Sequence, residues 1–472
     1  MFRQQNPMIK LKVYNSRTKS IEEFEHPINT PINIYTCGPT VYNRAHIGNL
    51  KTFMWSDFIV CYLNAIGYKT NHIMNITDID DKIINSLEKK DMESLLKFTQ
   101  HWTGLFLEDI KAIGIRSYTK DNIHKVTDNI EPIVKLIKKL LESGHAYQVP
   151  DGSIYFDISK VEKYPFPDFQ KESYERDEEY EGGRNIIKAS GVKSKNDFVL
   201  WKPVNDNEIF WLTELPKGKP SWNSECSGLA LDKLGRIDIK IGAKDLCFPH
   251  HNCEILQAEA YDPSQTYGRY FVHCGFLNFS GDKMSKSLGN ILKLENVKYN
   301  YWLLRLYFLS KPYRQTFDYN EDELEKLKTD FVNFHMLYNK LSLGFVKSNP
   351  KKNYPIEKTY IYNELLNIIS YDFNTKDALQ TLFKYVDTLL KVHMNTETIY
   401  NVLNELNKVN ELFNLLDKNV LTIPNETLEF ITKREEMRKQ KQFDDTDAMR
   451  KKLQENYFFE DEQTGYLIIN KL

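Results

Sequence analysis

The chain has 472 residues, of which 27% are charged, and its formal net charge is −2 at pH 7. Because single hydrophobic cores seldom grow beyond about 250–300 residues, we expect several domains, and the even charge balance excludes a uniformly basic nucleic-acid coat but not a local basic face. No apolar run approaches the ~20 residues of a membrane-spanning helix, and Met1–Lys10 carries no signal-peptide core, so we expect a cytoplasmic enzyme.

The first part of the chain alternates between strand and helix patterns. Ile32–Cys37 is a short apolar strand, a helix pattern follows His46 and ends at Gly67, and a second strand covers His72–Ile76. Thr77 then offers a helix N-cap and opens another helix. Strands and helices that alternate at this spacing predict a βαβ unit and a parallel sheet.

The middle of the chain has a different character. A helical segment ends at Gly144, and Tyr147–Trp201 is poor in strand patterns and rich in charge, Tyr, Gly and Pro, which predicts an inserted subdomain. Trp222–Cys226 predicts the return of the chain to the main sheet. A helix over His250–Ala260 follows, with Pro249 in its first turn.

Helical patterns dominate the C-terminal part. From Asn290 to about Leu421, long apolar periodicity predicts a helical bundle. A basic helix over Lys433–Lys452 comes next, and two short strands, Tyr457–Glu460 and Gly465–Ile469, end the chain.

Six cysteines are scattered through the sequence: Cys37, Cys61, Cys226, Cys247, Cys253 and Cys274. In a large chain without a secretion signal, thiols are expected to be reduced, so metal binding or simple burial is favoured over disulfides.

Four residues of the metal-ligating types can form one tetrahedral zinc site: Cys37, Cys226, His250 and Glu254. His250 and Glu254 are four residues apart, so a helix places them on one face. However, the chain has no Cys-x-x-Cys pair, and His251 and Cys253 compete for the same positions. Spacing alone therefore favours buried thiols and a histidine that caps a helix.

The segment Lys283–Ser287 is suited to a phosphate group. It contains two ammonium groups, Lys283 and Lys286, and two hydroxyls, and it lies between Gly281 and Gly289. A solvated basic turn is the alternative interpretation for this segment taken alone.

His46–Asn49 is a second candidate phosphate-binding segment, at a predicted strand-to-helix turn. Gly48 would let a nucleotide approach the backbone closely, while His46 and Asn49 can donate hydrogen bonds to phosphate. A polar helix cap is the alternative for this segment alone. The two segments together, on either side of a βαβ pattern, predict chemistry on ATP.

Taken together, these motifs resemble the class I aminoacyl-tRNA synthetases, and most of all the cysteinyl-tRNA synthetase family, over nearly the whole chain. The segments that carry the resemblance are Tyr35–Tyr42, His46–Asn49, Asn75–Lys82, Trp222–Ser227, Phe248–His251, Lys283–Asn290, Asp372–Thr375 and the tail from Arg434 to Arg450. The resemblance implies an α/β fold, in which a Rossmann-type parallel-sheet catalytic domain with an insertion precedes a helical bundle and a small C-terminal domain.

The resemblance also implies where the domains begin and end. The catalytic domain would comprise 1–122 and 222–276, with a connective insertion at 123–221. The phosphate-binding loop and stem-contact region would cover 277–330, the helical tRNA-binding bundle 331–423, and an anticodon-recognition region 424–472.

The implied reaction is the ATP-dependent ligation of L-cysteine to its tRNA through a cysteinyl-adenylate. Mg²⁺ would accompany ATP, and one zinc ion per chain would select the substrate thiol.

The resemblance also assigns the site residues. The zinc ligands would be Cys37, Cys226, His250 and Glu254. Phosphate would be held by His46, Gly48 and Asn49, and the leaving pyrophosphate would be neutralised by Lys286 with Lys283. The bound amino acid would contact Gly38, Thr77 and Trp222. The partners would be ATP, L-cysteine and tRNA(Cys), and the chain would be monomeric.

Eight basic residues of the tail are implied to contact tRNA phosphates: Lys433, Arg434, Arg438, Lys439, Lys441, Arg450, Lys451 and Lys452. Because glutamates interleave with them, a solvated helix face is the alternative.

The chain departs from the family pattern in three places. Asn49 stands where the family has a second histidine, Ile241–Lys244 replaces a glycine-rich run, and Cys253 replaces an asparagine. Asn49 keeps a hydrogen-bond donor but cannot become cationic. Cys253 adds a possible alternative metal ligand.

Two other functions are compatible with parts of the sequence. One is a related enzyme that activates cysteine and joins it to an amino sugar, but such enzymes lack the long C-terminal tail that is present here. The other is a non-catalytic tRNA-binding or zinc-stabilised protein, which would not need Lys283 and Lys286.

Overall fold

A computed structural model of the chain describes residues 9–162, 165–166, 189–205, 207–284, 289–347, 360–462 and 465–471. The chain divides into two compact units. The first contains Met1–Val297 and Tyr313–Tyr319, and the second contains Lys298–Pro312 and Asn320–Leu472. Within the described residues, no helix combines the length and the apolarity needed to cross a membrane.

A parallel sheet lies at the centre of the first unit. Among the described residues, its strands are ordered β11 (Tyr270–Cys274), β10 (Ile239–Ala243), β3 (Ile32–Thr36), β4 (Thr70–Ile76) and β5 (Ile123–Lys125). Every neighbouring pair is parallel. The predicted Rossmann-type sheet is therefore confirmed.

The order of the strands reverses at β3. The chain passes from β3 through helix α1 (Ile47–Ala65) to β4 on one side, and much later it returns as β10 on the other side. In open α/β sheets, ligands bind outside the carboxyl ends of the strands at such a switch point. The residues that follow β3 and β10 therefore mark the place to look for an active site.

The residues of the sheet and of α1 suit burial on both sides. Ile34 and Tyr35 in β3 are fully buried, as expected for a parallel strand with both faces covered. Helix α1 is buried on nearly every side, and its buried Asp57 accepts hydrogen bonds from the backbone nitrogens of Arg116 and Ser117, both at 2.8 Å. Gly67, with φ 102°, follows the end of α1, where the sequence predicts the stop.

The remaining elements of the first unit surround this sheet. Its other helices are α2 (Asp81–Asn85), α3 (Met92–Ala112), α4 (Ile130–Glu142), α5 (Trp222–Leu234) and α6 (Asn252–Tyr261). Its short strands are β1 (Lys12–Asn15), β2 (Ser20–Glu23), β12 (Leu277–Phe279), β13 (Asp282–Lys283) and β14 (Phe317–Asp318). The insertion forms an antiparallel sheet of β6 (Ala146–Gln148), β7 (Ile154–Phe156), β8 (Phe198–Pro203) and β9 (Gly218–Pro220).

The second unit is helical and ends in a hairpin. Its helices are α7 (Tyr301–Leu309), α8 (Glu321–Lys347), α9 (Tyr360–Ile369), α10 (Thr375–Leu390), α11 (Thr396–Phe413), α12 (Lys418–Leu421), α13 (Asn425–Lys439) and α14 (Phe443–Asn456). The hairpin is β15 (Tyr457–Glu462) paired with β16 (Gly465–Asn470). Both the predicted bundle and the two predicted C-terminal strands are confirmed.

Two predictions about the first unit are wrong. Thr77 does not cap a helix, because Asp80 is the N-cap of α2 and accepts a hydrogen bond from the backbone nitrogen of Lys82 at 2.7 Å. Trp222–Cys226, predicted as the return to the main sheet, is instead the start of α5, and the chain rejoins the sheet only at β10.

Two further predictions need correction. The Tyr147–Trp201 region contributes strands to the antiparallel sheet of the insertion. Two of them have only three residues each, too few to show a period, and in β8 the buried residues are consecutive instead of alternating. The basic tail helix is interrupted between α13 and α14, where Lys441 has φ 64°. A residue in the left-handed region ends an α-helix.

We expect acid to destabilise the folded state through buried His335 in α8. Its Nε2 accepts a hydrogen bond from the backbone nitrogen of Asp417 at 2.9 Å, so its Nδ1 carries the proton donated to the Phe331 carbonyl at 2.8 Å. Burial lowers the pKa of His335 from 6.5 to about 4. Between these values the unfolded chain binds more protons, so the free energy of unfolding decreases as the pH is lowered from about 6.5 to about 4, by up to about 3 kcal/mol for this residue.

Urea unfolding at about pH 7 and about pH 4.5, followed by circular dichroism, measures this pH dependence. The variant His335→Asn should show a smaller loss of stability between the two pH values than the unchanged chain. Equal losses in both proteins would contradict the assignment to His335.

Candidate active site and metal centre

Four buried metal-ligating side chains meet at the switch point of the sheet. They are Cys37 directly after β3, Cys226 on α5, His250 in the turn before α6, and Glu254 on α6. One ligand atom from each lies within 4.8 Å of all the others. The Sγ atoms of Cys37 and Cys226 are 3.8 Å apart, and Nε2 of His250 is 3.2 Å from Oε1 of Glu254.

This donor group fits a zinc ion. Neither ring nitrogen of buried His250 makes a hydrogen bond within the described residues, because the 3.2 Å approach of Nε2 to Oε1 of Glu254 lacks hydrogen-bond geometry, and a buried polar atom without such a bond is costly. The ring stacks on Trp222 at 4.1 Å between centroids, which fixes its plane. Two sulfurs, one imidazole nitrogen and one carboxylate oxygen are ligands that zinc accepts in a tetrahedron.

The two thiols of the donor group have opposite acidities. Burial raises the pKa of Cys37, but a hydrogen bond between Cys37 and Cys226 and the positive charge of Lys240 outweigh it, and the pKa falls well below its ordinary value. The same hydrogen bond, with burial, raises the pKa of Cys226 well above its ordinary value. One thiolate is thus already favoured, and a thiolate is the form that binds metal.

The structure also locates the two competitors for the metal position. Nε2 of His251 lies 3.3 Å from the Cys37 sulfur, and its Nδ1 lies 2.8 Å from Nε2 of His273. His251 therefore supports Cys37 from the side, with its other nitrogen engaged. Cys253 is buried, but it is not in the donor group found among the described residues.

A polar network lies beside the donor group. The backbone nitrogen of Gly38 donates to Oδ1 of Asn75 at 2.9 Å, and Nδ2 of Asn75 donates to the Thr77 hydroxyl at 3.0 Å. Thr77 in turn donates to Glu225 at 3.4 Å, and the Cys226 thiol lies 3.6 Å from Oδ1 of Asn75. A Cβ on Gly38 would lie 1.7 Å from the Asn75 carbonyl oxygen, so only glycine fits.

This network brings together residues that the sequence predicts around the amino acid. Gly38 and Thr77 belong to it, and Trp222 stacks on His250 at its edge. Sequence reasoning missed Asn75 and Glu225 as separate contributors, although both lie within the segments that carry the family resemblance.

His46 and Asn49 form a reciprocal cap at the start of α1. Nδ1 of His46 accepts from the backbone nitrogen of Asn49 at 3.2 Å, and Oδ1 of Asn49 accepts from the backbone nitrogen of His46 at 3.3 Å. With Nδ1 as an acceptor, the neutral ring carries its proton on Nε2. Burial lowers the pKa of His46 from 6.5 to about 4, so the ring is a neutral donor near pH 7.

Lys283 lies on β13, and its side chain reaches the carboxyl end of β10 in the parallel sheet. Its Nζ donates to Oδ2 of Asp245 at 2.7 Å, and Asp245 follows the end of β10. Burial has the largest effect on the pKa of His46, while Asp245 raises that pKa and Lys283 lowers it. The other predicted lysine, Lys286, lies outside the described residues.

Lys51 connects the helix that begins at His46 with the base of the β12–β13 hairpin, and the sequence analysis missed it. Its fully buried Nζ donates to the Gly275 carbonyl at 2.7 Å and lies 3.5 Å from the Tyr313 carbonyl oxygen. Gly275 is at the base of the β12–β13 hairpin that carries Lys283, whereas Lys51 belongs to the helix capped by His46. Burial lowers the pKa of Lys51 from 10.5 to about 8.

In the second unit, the tail arginines are bound to an acidic residue. Arg434 is 1% exposed and donates two hydrogen bonds to the Asp461 carboxylate, at 2.6 and 2.7 Å. Arg438 donates to the same carboxylate at 2.8 Å, and Nε of Arg450 lies 3.8 Å from it. The expectation that Arg434 contacts tRNA is therefore wrong. The exposed members of the predicted set are Lys433, Lys439, Lys441, Lys451 and Lys452.

We expect Asp461→Ala to destabilise the second unit by about 3–5 kcal/mol, because it leaves the buried guanidinium of Arg434 without its carboxylate. Urea unfolding followed by circular dichroism measures the loss. Asp447→Ala, which removes an exposed carboxylate from α14, is the matched control. A loss below about 1 kcal/mol for Asp461→Ala would contradict a structural role for this cluster.

Known proteins share the fold of the first unit. A family model described as tRNA synthetases class I (C) catalytic domain matches residues 23–329. The solved structure of Mycobacterium tuberculosis methionyl-tRNA synthetase bound by methionyl-adenylate superposes with a TM-score of 0.54 at 15% identity, over 82% of this chain and 90% of that chain. The fold and the match together define a class I aminoacyl-tRNA synthetase.

Curated relatives extend over nearly the full length. Cysteine–tRNA ligase of Methanococcus vannielii is 33% identical and covers 98% of this chain and 99% of its own. The enzymes of the same name from Clostridioides difficile and Anoxybacillus flavithermus are 34% and 32% identical, over 94% and 97% of this chain and 96% and 99% of their own. The chain belongs to the cysteine–tRNA ligase family, and the predicted resemblance is confirmed.

Proposed function

We propose that the protein attaches L-cysteine to tRNA(Cys) in two ATP-dependent steps. In the first, a carboxylate oxygen of cysteine attacks the α-phosphorus of ATP, and pyrophosphate leaves from cysteinyl-adenylate. In the second, a ribose hydroxyl at the 3′ end of tRNA attacks the carbonyl carbon, and AMP leaves. One observation carries the proposal: a donor group suited to sulfur lies at the carboxyl end of the same sheet as the His46–Asn49 turn and Lys283, which are the described parts of the two candidate phosphate-binding segments.

The proposed roles of the residues follow from the groups that they present. Gly38, Asn75 and Thr77 belong to the polar network beside the donor group, where they would orient the amino acid. His46 would donate its Nε2 proton to a phosphate oxygen, and Asn49 would donate from its amide nitrogen. As in other phosphoryl transfers, positioning and charge neutralisation supply most of the catalysis.

The lysines of the 283–287 segment would neutralise the pyrophosphate. Lys283 donates to Asp245, so the phosphates would have to compete with that carboxylate for the ammonium group. Lys286 would act on the same charge as it develops, and Mg²⁺ would accompany the triphosphate. Removing this charge stabilisation should slow the first step more than the second.

Selection of cysteine over serine requires more than shape. The two amino acids differ by one atom, and pockets that rely on packing discriminate such pairs only about 10²-fold. Zinc, when bound to Cys37, Cys226, His250 and Glu254, would supply a soft ion that prefers a thiolate to a hydroxyl. The enzyme would then need no editing domain.

The second unit would bind the body of the tRNA. We propose that residues 331–423 contact its stem and that 424–472 recognise the anticodon, with the exposed lysines of the tail near phosphates. Such contacts make binding weaker at high salt.

Amino-acid-dependent exchange between ATP and pyrophosphate, tested with all twenty amino acids, examines the first step. We expect exchange with cysteine alone, and charging of a tRNA(Cys) transcript in a second assay. Exchange without charging would favour an amino-sugar acceptor instead. No exchange with any amino acid would leave only a binding protein and would overturn the proposal.

A further inference from the structure

A buried lysine contacts the donor group through the Glu254 oxygen that faces away from the other three donors. Lys240 in β10 is fully buried, and its Nζ lies 2.6 Å from Oε2 of Glu254. The Tyr267 hydroxyl donates to the same oxygen at 2.8 Å. A buried ammonium group is costly unless it is paired, so its position beside a metal donor calls for a reason.

These two contacts fix how Glu254 faces the donor group. Because Oε2 is occupied by Lys240 and Tyr267, the carboxylate presents only Oε1 to the other donors. Oε1 lies 3.2 Å from Nε2 of His250 and 3.5 Å from the Cys37 sulfur. Glu254 is therefore built as a donor of one oxygen, and its orientation is set by contacts outside the donor group.

Lys240 also changes the charge of the site. With zinc bound, Cys37 and Cys226 would both be thiolates and would, with the Glu254 carboxylate, carry three negative charges, one more than the ion balances; the ammonium of Lys240 would restore neutrality. A substrate thiolate would add one further negative charge. Without Lys240 the same buried site would hold two excess negative charges, which a low-dielectric interior strongly disfavours.

We propose that Lys240 is a specificity-determining positioning residue, which holds Glu254 to one oxygen and balances the charge so that the substrate sulfur enters as a thiolate. The inference rests on the proposed function. The substrate thiol would lose its proton to solvent on binding, as thiol ligands of metals usually do. Lys240 does not touch the reacting carboxylate or phosphate, so its effect should appear in cysteine binding rather than in ATP binding.

The test uses the full chain loaded with cobalt(II), whose absorption reports thiolate ligands. In the unchanged protein, adding cysteine should increase the intensity of the thiolate-to-cobalt(II) charge-transfer absorption band. Lys240→Met removes both the charge and the hydrogen bond, whereas Lys240→Gln removes the charge and keeps a donor. Both should weaken cysteine binding roughly tenfold or more, as expected for loss of a support to a metal ligand. Lys233→Met, an exposed lysine on α5, should change it by less than about twofold.

The outcomes separate this inference from the proposed function. If the unchanged protein binds no metal, or shows no band change with cysteine, the proposed metal-based selection fails. If it behaves as expected but both Lys240 variants bind cysteine as the unchanged protein does, the inference alone is wrong. Loss of metal from folded Lys240→Gln would also overturn it, because Cys37, Cys226 and His250 should retain the ion. Lys240→Arg, which keeps the charge, should bind more tightly than either neutral variant, and the reverse order would contradict the charge argument.

Discussion

Cys226→Ser is expected to abolish metal binding and, with it, the preference for cysteine over serine. The sulfur of Cys226 lies 3.8 Å from that of Cys37 in a donor group with no exposed member. A serine hydroxyl is a poor replacement, because zinc binds thiolate and a neutral hydroxyl stays protonated. We expect zinc content to fall from about one ion per chain to near zero after dialysis against a chelator.

The same substitution should remove discrimination. Without the metal, the remaining contacts of Gly38 and Thr77 recognise groups that cysteine and serine share. The ratio of kcat/KM for cysteine over serine in pyrophosphate exchange should then approach the ~10²-fold or less that packing provides. Cysteine activation itself should fall steeply, because the thiol loses its partner.

Cys247→Ser is the matched control for this experiment. Cys247 is half-buried, burial raises its pKa to about 12, and it does not belong to the donor group of the described residues. It should keep both metal and selectivity. If Cys226→Ser still binds one zinc ion, Cys253 becomes the replacement ligand to test, and the double variant Cys226→Ser, Cys253→Ser would then lose the metal.

The sequence predicted the elements whose patterns are local. The strand ending at Cys37, the helix after His46 and the stop near Gly67 appear as predicted, because apolar period and glycine act within a few residues. The predicted N-cap residue of α2, Thr77, was wrong because Thr77 and Asp80 are both good capping residues and the helix begins after Asp80. The sequence does not show that the Thr77 hydroxyl is engaged by Asn75 and Glu225 instead.

The site depends on contacts between distant parts of the chain. Cys37 and Cys226 are 189 residues apart, and spacing alone favoured burial over metal binding for both. Only the family resemblance selected the four donors that the structure brings together. Lys240 and Lys51 were missed because a buried lysine and an exposed one look alike in a sequence, and only packing distinguishes them.

His46→Asn is expected to lower the rate of cysteine-dependent pyrophosphate exchange by about 10²–10³-fold while leaving the fold intact. Asparagine is a strong N-cap residue, so it can still accept the hydrogen bond from the backbone nitrogen of Asn49. It cannot extend a donor as far as Nε2 of the imidazole. The substitution therefore separates the cap from the phosphate contact, which His46→Ala would remove together.

The pH dependence of the same variant tests the protonation state. Because burial lowers the pKa of His46 to about 4, the neutral ring should act throughout the range from about pH 5 to about pH 8. The plot of exchange rate against pH for the unchanged protein should therefore have no inflection near pH 6.5 that is due to His46. In other words, no inflection there should disappear in His46→Asn. Such an inflection would mean that a cationic ring works on the phosphates, and the neutral-donor role would be wrong.

His101→Asn provides the control, since His101 is exposed on α3. Its exchange rate should lie within about twofold of the unchanged rate. The thermal unfolding midpoint of His46→Asn should match that of the unchanged protein, because the capping hydrogen bond persists. If the unfolding midpoint and the exchange rate both fall greatly, the role of His46 is to cap α1. The neutral phosphate donor would then have to be Asn49, which offers its amide nitrogen from the same turn.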